Sequence, residues 1–214
     1  MGDRPNTSAN GSGARSRLVT AATAAFAERG YHATTTRDIA ARAGMSPAAL
    51  YVHHSSKEEL LFLISREGHD AALRVIREAS PDDAEPFARL HATVRAFTLW
   101  HAEHHTAARV VQYEGAALSE EHRREIVQMR RDIDRHMRDV IIAGVEQGVF
   151  AVPDVPGTTL ALLSLAVDVA RWYRDDGRRS AESVADLYAD LAVRMVRADG
   201  QPVTPPEDSS KINC

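Results

Sequence analysis

Apolar positions recur every three or four residues through most of this chain, the period of helices buried along one face. Leu18, Ala22, Ala25 and Phe26 share a face of a first helix running from Arg15 to about Arg29, which Gly30 should stop. Ile39, Ala40 and Ala43 give a short second helix its apolar side, and Leu50 is the inward anchor of a third. A long fourth helix, Lys57 to about Ala79, carries Leu60, Leu61, Ile64, Ala71, Ala72, Val75 and Ile76. Pro81 and Pro86 interrupt the chain, and residues 87–114 then read as one helix or two shorter ones. Ile126, Met129, Ile133, Met137, Val140 and Ile141 form a stripe on a helix from about Ser119 to Gln147. The stretch at about 158–175 is different, because LALLSLAVDVARWY is apolar nearly all the way round and so predicts burial on two sides. A last helix, about Ala181–Ala198, follows the cap Ser180 and shows Val184, Leu187, Leu191 and Met195. The expected fold is all-α with about nine helices.

The punctuation is densest at Thr34–Leu61. Thr35 or Thr36 can cap the second helix, and Asp38 stands at a capping-box spacing from Thr35. Gly44 ends that helix where a left-handed residue is needed. Ser46 caps the third helix with Pro47 at its first position, and Ser56 with Glu59 forms a capping box for the fourth. Two short helices joined by a glycine turn make a helix-turn-helix, whose second helix can lie in a DNA major groove. Ala48 and Ala49 allow a close approach there, while Tyr51, His53 and Lys57 are donors at positions able to face phosphates.

Charge refines this only slightly. The whole chain carries a net −4, yet residues 1–60 hold seven basic side chains against five acidic ones, leaving the remainder acidic. The lone cysteine, Cys214, excludes an internal disulfide framework and fits a reducing cytoplasm. No apolar run reaches membrane-spanning length, and the N-terminus lacks a signal-peptide core. Residues 1–13 and 200–214 are small, polar or proline-rich and are expected to be disordered. Between them, 14–60 is expected to form the DNA-binding domain and 61–199 a helical domain for ligand binding and dimerisation.

Residues 18–64 resemble the DNA-binding domain of TetR-family transcriptional regulators. The likeness runs through Ala24-Ala25-Phe26, Gly30-Tyr31, Thr35-Thr36-Arg37-Asp38-Ile39-Ala40, Ala43-Gly44-Met45-Ser46, Leu50-Tyr51-Val52-His53-His54 and Ser56-Lys57-Glu58-Glu59-Leu60-Leu61. His54 stands where the family usually has Phe, and Val52 where an aromatic is common. The resemblance implies a homodimer joined through the two C-terminal helices, binding a near-palindromic double-stranded operator. Thr36, Tyr51, His53 and Lys57 would then touch phosphates, with Arg37 reaching phosphate or base. Ser46, Pro47, Ala48 and Ala49 would face the groove. It also implies a small-molecule effector that shifts the fourth helix. Whether the regulator represses or activates depends on where the operator lies. A looser likeness over Gly144 to Tyr173 resembles members controlling acyl-CoA or steroid catabolism.

Effector chemistry is sought among polar and aromatic groups on apolar helices: Trp100, His101, His105, Arg109, Tyr113, Arg171 and Trp172. Arg171 has two readings, an anchor for an anionic ligand or a structural ion pair with Asp168. His101, His104 and His105 also have two. They are surface histidines, or ligands of a metal in a helical module with a borrowed DNA-binding end. Neither a glycine-rich phosphate loop nor a nucleophile elbow is present, so no enzyme chemistry and no cofactor is expected.

Overall fold

The computed structural model describes residues 7–197, which form nine α-helices and one short 3₁₀ turn. They are α1 (Thr7–Ala33), α2 (Thr36–Arg42), α3 (Pro47–His53), α4 (Lys57–Glu78), α5 (Pro86–Glu103), α6 (His105–Glu114), α7 (Glu120–Glu146), α8 (Val155–Trp172) and α9 (Ala181–Val196). Residues 87–114 thus resolve into two helices that meet at His104. Among the described residues, no helix is long and apolar enough to cross a membrane.

One end differs from expectation. Helix α1 begins at Thr7, so residues 7–13 are helical rather than disordered, while 1–6 lie outside the described residues. The expected C-terminal tail, with Cys214, lies outside them too. Gly30 does not end α1 cleanly. It kinks the helix at φ 77°, a left-handed value that glycine adopts at little cost. Thr34 then locks the corner, its hydroxyl donating to the carbonyls of Ala25 and Gly30.

The local signals elsewhere did set the helix ends. Thr35 and Asp38 form a reciprocal capping box, and hydrogen bonding from Thr35 holds the Asp38 carboxyl below its usual range. Gly44 sits at φ 67°. Ser46 Oγ accepts from the Ala49 amide at 3.1 Å. The Ser56–Glu59 box is only half made. Ser56 Oγ accepts from the Glu59 amide, but the Glu59 carboxylate turns to the backbone and hydroxyl of Ser55.

Packing joins the two parts directly. Leu18, Phe26, Ile39, Leu50, Leu60 and Leu61 form one buried cluster, which continues into Val110, Val111, Leu118 and Ile126 of the second part. Helix α4 is also pinned to α7. The Glu58 carboxylate accepts from the Ser119 amide and from His122 at 2.8 Å, and His122 stacks on Phe62 at 3.8 Å. Farther on, α5 lies against α9 while α8 covers α5 and α7, around Leu90, Val94, Met137, Ile141, Leu162 and Val196. Gly144 leaves room for the Phe150 ring, which a Cβ there would meet at 2.2 Å.

Candidate nucleic-acid interface and ligand cavity

Helix α3 has seven residues and a single fully buried side chain, Leu50. Its other positions are presented outward. Ser46, Pro47 and Ala48 are exposed, Ala49 and His53 are half-buried, and Tyr51 is 55 % exposed. Val52, absent from the expected set, is more open than Tyr51, at 79 %. Its chemistry hid it, since a valine offers no donor or acceptor that would mark it for DNA. The Tyr51 hydroxyl lies 3.2 Å from that of Thr36, so the two short helices are joined at their outer edge. Arg37 is exposed on α2.

Lys57 is more committed than expected. Its ammonium donates to the carbonyls of Tyr31 and Thr34, each at 2.8 Å, and lies 4.2 Å from the centre of the Tyr31 ring. An ammonium has three protons, so one remains for an outside acceptor. His54 fills the apolar place under α3. It is buried, neither ring nitrogen has a hydrogen-bond partner, and Nδ1 lies 3.7 Å from Glu59 Oε1. Burial pushes its pKa below the usual histidine value, so it packs there as a neutral ring.

The second feature is a cavity of about 710 Å³ among α4, α5, α6, α7 and α8, within the range of small-molecule sites. Ala72, Phe97, Trp100, Val111, Ile133 and Leu163 supply an apolar wall. His69, His101, Gln112, Arg130, Ser164 and Asp168 supply the polar groups.

Of the seven expected effector residues, Trp100 and His101 line this cavity and the other five do not. Tyr113 and Trp172 are exposed, and His105 and Arg109 are half-buried elsewhere. Arg171 is not a buried arginine in need of a ligand. It is exposed and holds Asp168 through two bonds of 2.7 and 2.9 Å, the structural reading. His101, by contrast, is not a surface histidine. It is buried against Phe97 and Trp100, and burial lowers its pKa to about 4. Its Nδ1 donates to the Phe97 carbonyl at 2.8 Å, leaving neutral Nε2 as an acceptor. His104 and His105 direct their Nδ1 atoms to Trp100 and Ala102 carbonyls, and no metal-holding cluster forms among the described residues.

Sequence reasoning missed His69 and Arg130. Each is one polar residue among many on its own helix, and the packing of α4 on α7 brings them together at 3.2 Å.

A protruding pair of short helices on a helical body with an internal cavity defines a helix-turn-helix DNA-binding regulator. The family model for bacterial regulatory proteins of the tetR family matches residues 18–64, and that for the Tetracyclin repressor-like C-terminal domain matches residues 83–196. This chain belongs to the TetR family of transcriptional regulators, and by that membership it is not an enzyme. It is 31% identical to the HTH-type transcriptional repressor KstR2 of Mycobacterium tuberculosis over 188 residues, 87% of this chain and 94% of that one. A TetR-family regulatory protein from Rhodococcus RHA1 superposes with a TM-score of 0.83 at 42% identity, covering 87% of this chain and 98% of the other. AibR, solved in complex with isovaleryl coenzyme A and operator DNA, superposes at 0.74 with 28% identity, covering 86% and 98%.

Proposed function

We propose that this chain is a homodimeric repressor, acting in the cytoplasm, that leaves a near-palindromic operator when a small molecule fills its cavity. The observation that carries this reading is the course of α4. The helix places Leu60 and Leu61 in the core of the DNA end, and Gly68, His69 and Ala72 in the cavity wall. A ligand that moves α4 at the cavity therefore moves the seat of α3. Tyr51, His53 and the remaining N–H of Lys57 take phosphates, with Thr36 beside Tyr51 and Arg37 reaching phosphate or base. Ser46, Pro47, Ala48, Ala49 and Val52 face the groove, where their apolar surface suits thymine methyls.

The dimer forms through α8 and α9. Leu160, Leu165 and Trp172 on the one, and Leu187, Leu191 and Met195 on the other, leave an apolar surface exposed on the single chain. A thioester of coenzyme A is the effector class, supported by the ligand in the AibR complex and by an apolar cavity with a few polar groups.

Selection of fragmented genomic DNA from the source organism on the purified protein tests the reading. Enrichment of one or a few palindromic sites is the expected result. Sequence-blind binding that vanishes with salt, from protein freed of bound ligand, would overturn it.

A further inference from the structure

The cavity holds one cation without a counter-ion. Arg130 projects from α7 at the cavity's edge, and no carboxylate among the described residues lies within ion-pair distance of it. Arg135 and Arg138 of the same helix are paired, with Asp132 and Asp134, whereas Arg130 is the arginine of α7 that lines the cavity. Arg130 is exposed at the cavity's edge, so its free N–H groups keep access to water and to an incoming ligand. The wall beside it desolvates it in part and pulls its pKa below the ordinary value.

What holds Arg130 in place is legible atom by atom. His69 Nδ1 lies 2.6 Å from the Ser65 carbonyl, which can only accept, so Nδ1 carries the proton. His69 Nε2 is then a lone pair, and it accepts from Arg130 Nε–H at 3.2 Å. That bond engages one edge of the guanidinium and leaves its terminal nitrogens as donors. Burial lowers the His69 pKa and Arg130 lowers it further, which keeps the ring neutral and the relay intact. The nearest acid among the cavity residues, Asp168, is already held by Arg171.

We propose that Arg130, positioned by His69, is the anchor for an anionic group on an effector whose apolar body lies against Phe97, Trp100, Ile133 and Leu163. This rests on the cavity being the effector site. The shared chemistry is an amphipathic anion, and its charge comes either from the carboxylate of a free acid or from a phosphate of a coenzyme A thioester. Arg130 donates to the anion, and His69 acts through Arg130 as a positioning residue.

A matched pair of probes tests it. Anilinonaphthalene sulfonate and N-phenylnaphthylamine share an aromatic body and differ by the sulfonate. Binding is read by quenching of Trp100 in a Trp172→Phe background, so that the single indole reports the cavity. The anionic probe should bind the parent about tenfold more tightly than the neutral one, the worth of a charge-assisted bond. Arg130→Gln should erase that preference while the neutral probe keeps its affinity, and Arg130→Lys should restore part of it. His69→Leu should shrink the preference without changing neutral-probe binding, which a merely structural role would disturb. Dodecanoate and dodecanoyl coenzyme A then compete for the site. Loss of dodecanoate competition in Arg130→Gln assigns the anchor to a carboxylate, and loss of only the thioester's competition assigns it to a phosphate. An undiminished preference for the sulfonate in Arg130→Gln overturns the proposal. That result is separable from failure of the DNA selection, which leaves the probe preference standing.

Discussion

The helix-turn-helix over residues 36–53 and the cavity lined by residues between 68 and 168 are built in opposite ways. The helix ends of the DNA end are set by bonds between near neighbours. Thr35 with Asp38, Ser46 with Ala49, and Gly44 at its positive φ each act within four residues. The cavity takes its wall from five helices, and its polar pair joins residues 61 apart. Local bonds make a shape that tolerates little variation and presents a constant edge to DNA. A wall drawn from many helices varies with each contributor, which suits a family whose members answer to different effectors. The contrast teaches that one helix, α4, belongs to both, with Leu60 and Leu61 in the core of the DNA end and Gly68, His69 and Ala72 in the cavity wall.

The largest break in that contrast comes from Leu50. It is the one side chain of α3 in the core, and it is fully buried. Leu50→Ala should cost about 2–5 kcal/mol. In a chain of this size that lowers Tm by roughly 4–20 °C. Its cluster continues into α6 and α7, so the loss should appear in a single thermal transition, read by circular dichroism. Two separated transitions would mean that the DNA end unfolds by itself, against the shared core described above.

The next effect lies on the cavity side and depends on pH. His101 is buried and neutral, with a folded pKa of about 4 against an ordinary 6.5. The unfolded chain binds the extra proton first, so stability is complete above the ordinary value and falls as pH drops from about 6.5 towards about 4. The difference is worth about 3 kcal/mol. His54, His69 and His136 are shifted in the same direction by burial and steepen the fall. His101→Gln should therefore flatten the acid limb of a stability curve measured by urea titration between pH 7 and 4. A variant whose acid limb runs parallel to the parent's would show that His101 titrates as it does in water.

Legibility in the sequence followed the same divide. Caps, glycine stops and the i, i+3 and i, i+4 stripes act at short range, so the helices and the outward set Ser46, Pro47, Ala48 and Tyr51 were visible in the residues themselves. The sequence said less where range grew. Lys57 reads as a free cation until Tyr31 and Thr34, more than twenty residues away, turn their carbonyls to it. His101 reads as one of three surface histidines until the fold buries it beside Phe97 and Trp100. Arg171 reads as buried because its helix is apolar nearly all round, yet the open side of α8 carries Leu160, Leu165 and Arg171 outward. Arg130 lies in a run of charged residues on α7, and nothing nearby in sequence marks it as the one that meets a histidine from α4.

The smallest effect is the sharpest test of locality. Ser46 caps α3 through one bond to the Ala49 amide, and α3 is two turns long with one buried anchor. Ser46→Ala removes that acceptor and leaves an orphan N–H that water can satisfy, at a cost of about 1 kcal/mol. Because α3 contributes little else to the core, the loss should be met by fraying at its start rather than by global unfolding. Amide exchange at Ala49 should quicken about fivefold while amides in α7 and α8 keep their rates. Operator affinity should fall by a similar factor, since binding must then reorder the turn. Equal quickening in α7 would show that the cap is coupled through α4 to the effector end. In that case the DNA end is not locally determined, and a ligand in the cavity should slow the Ala49 amide in return.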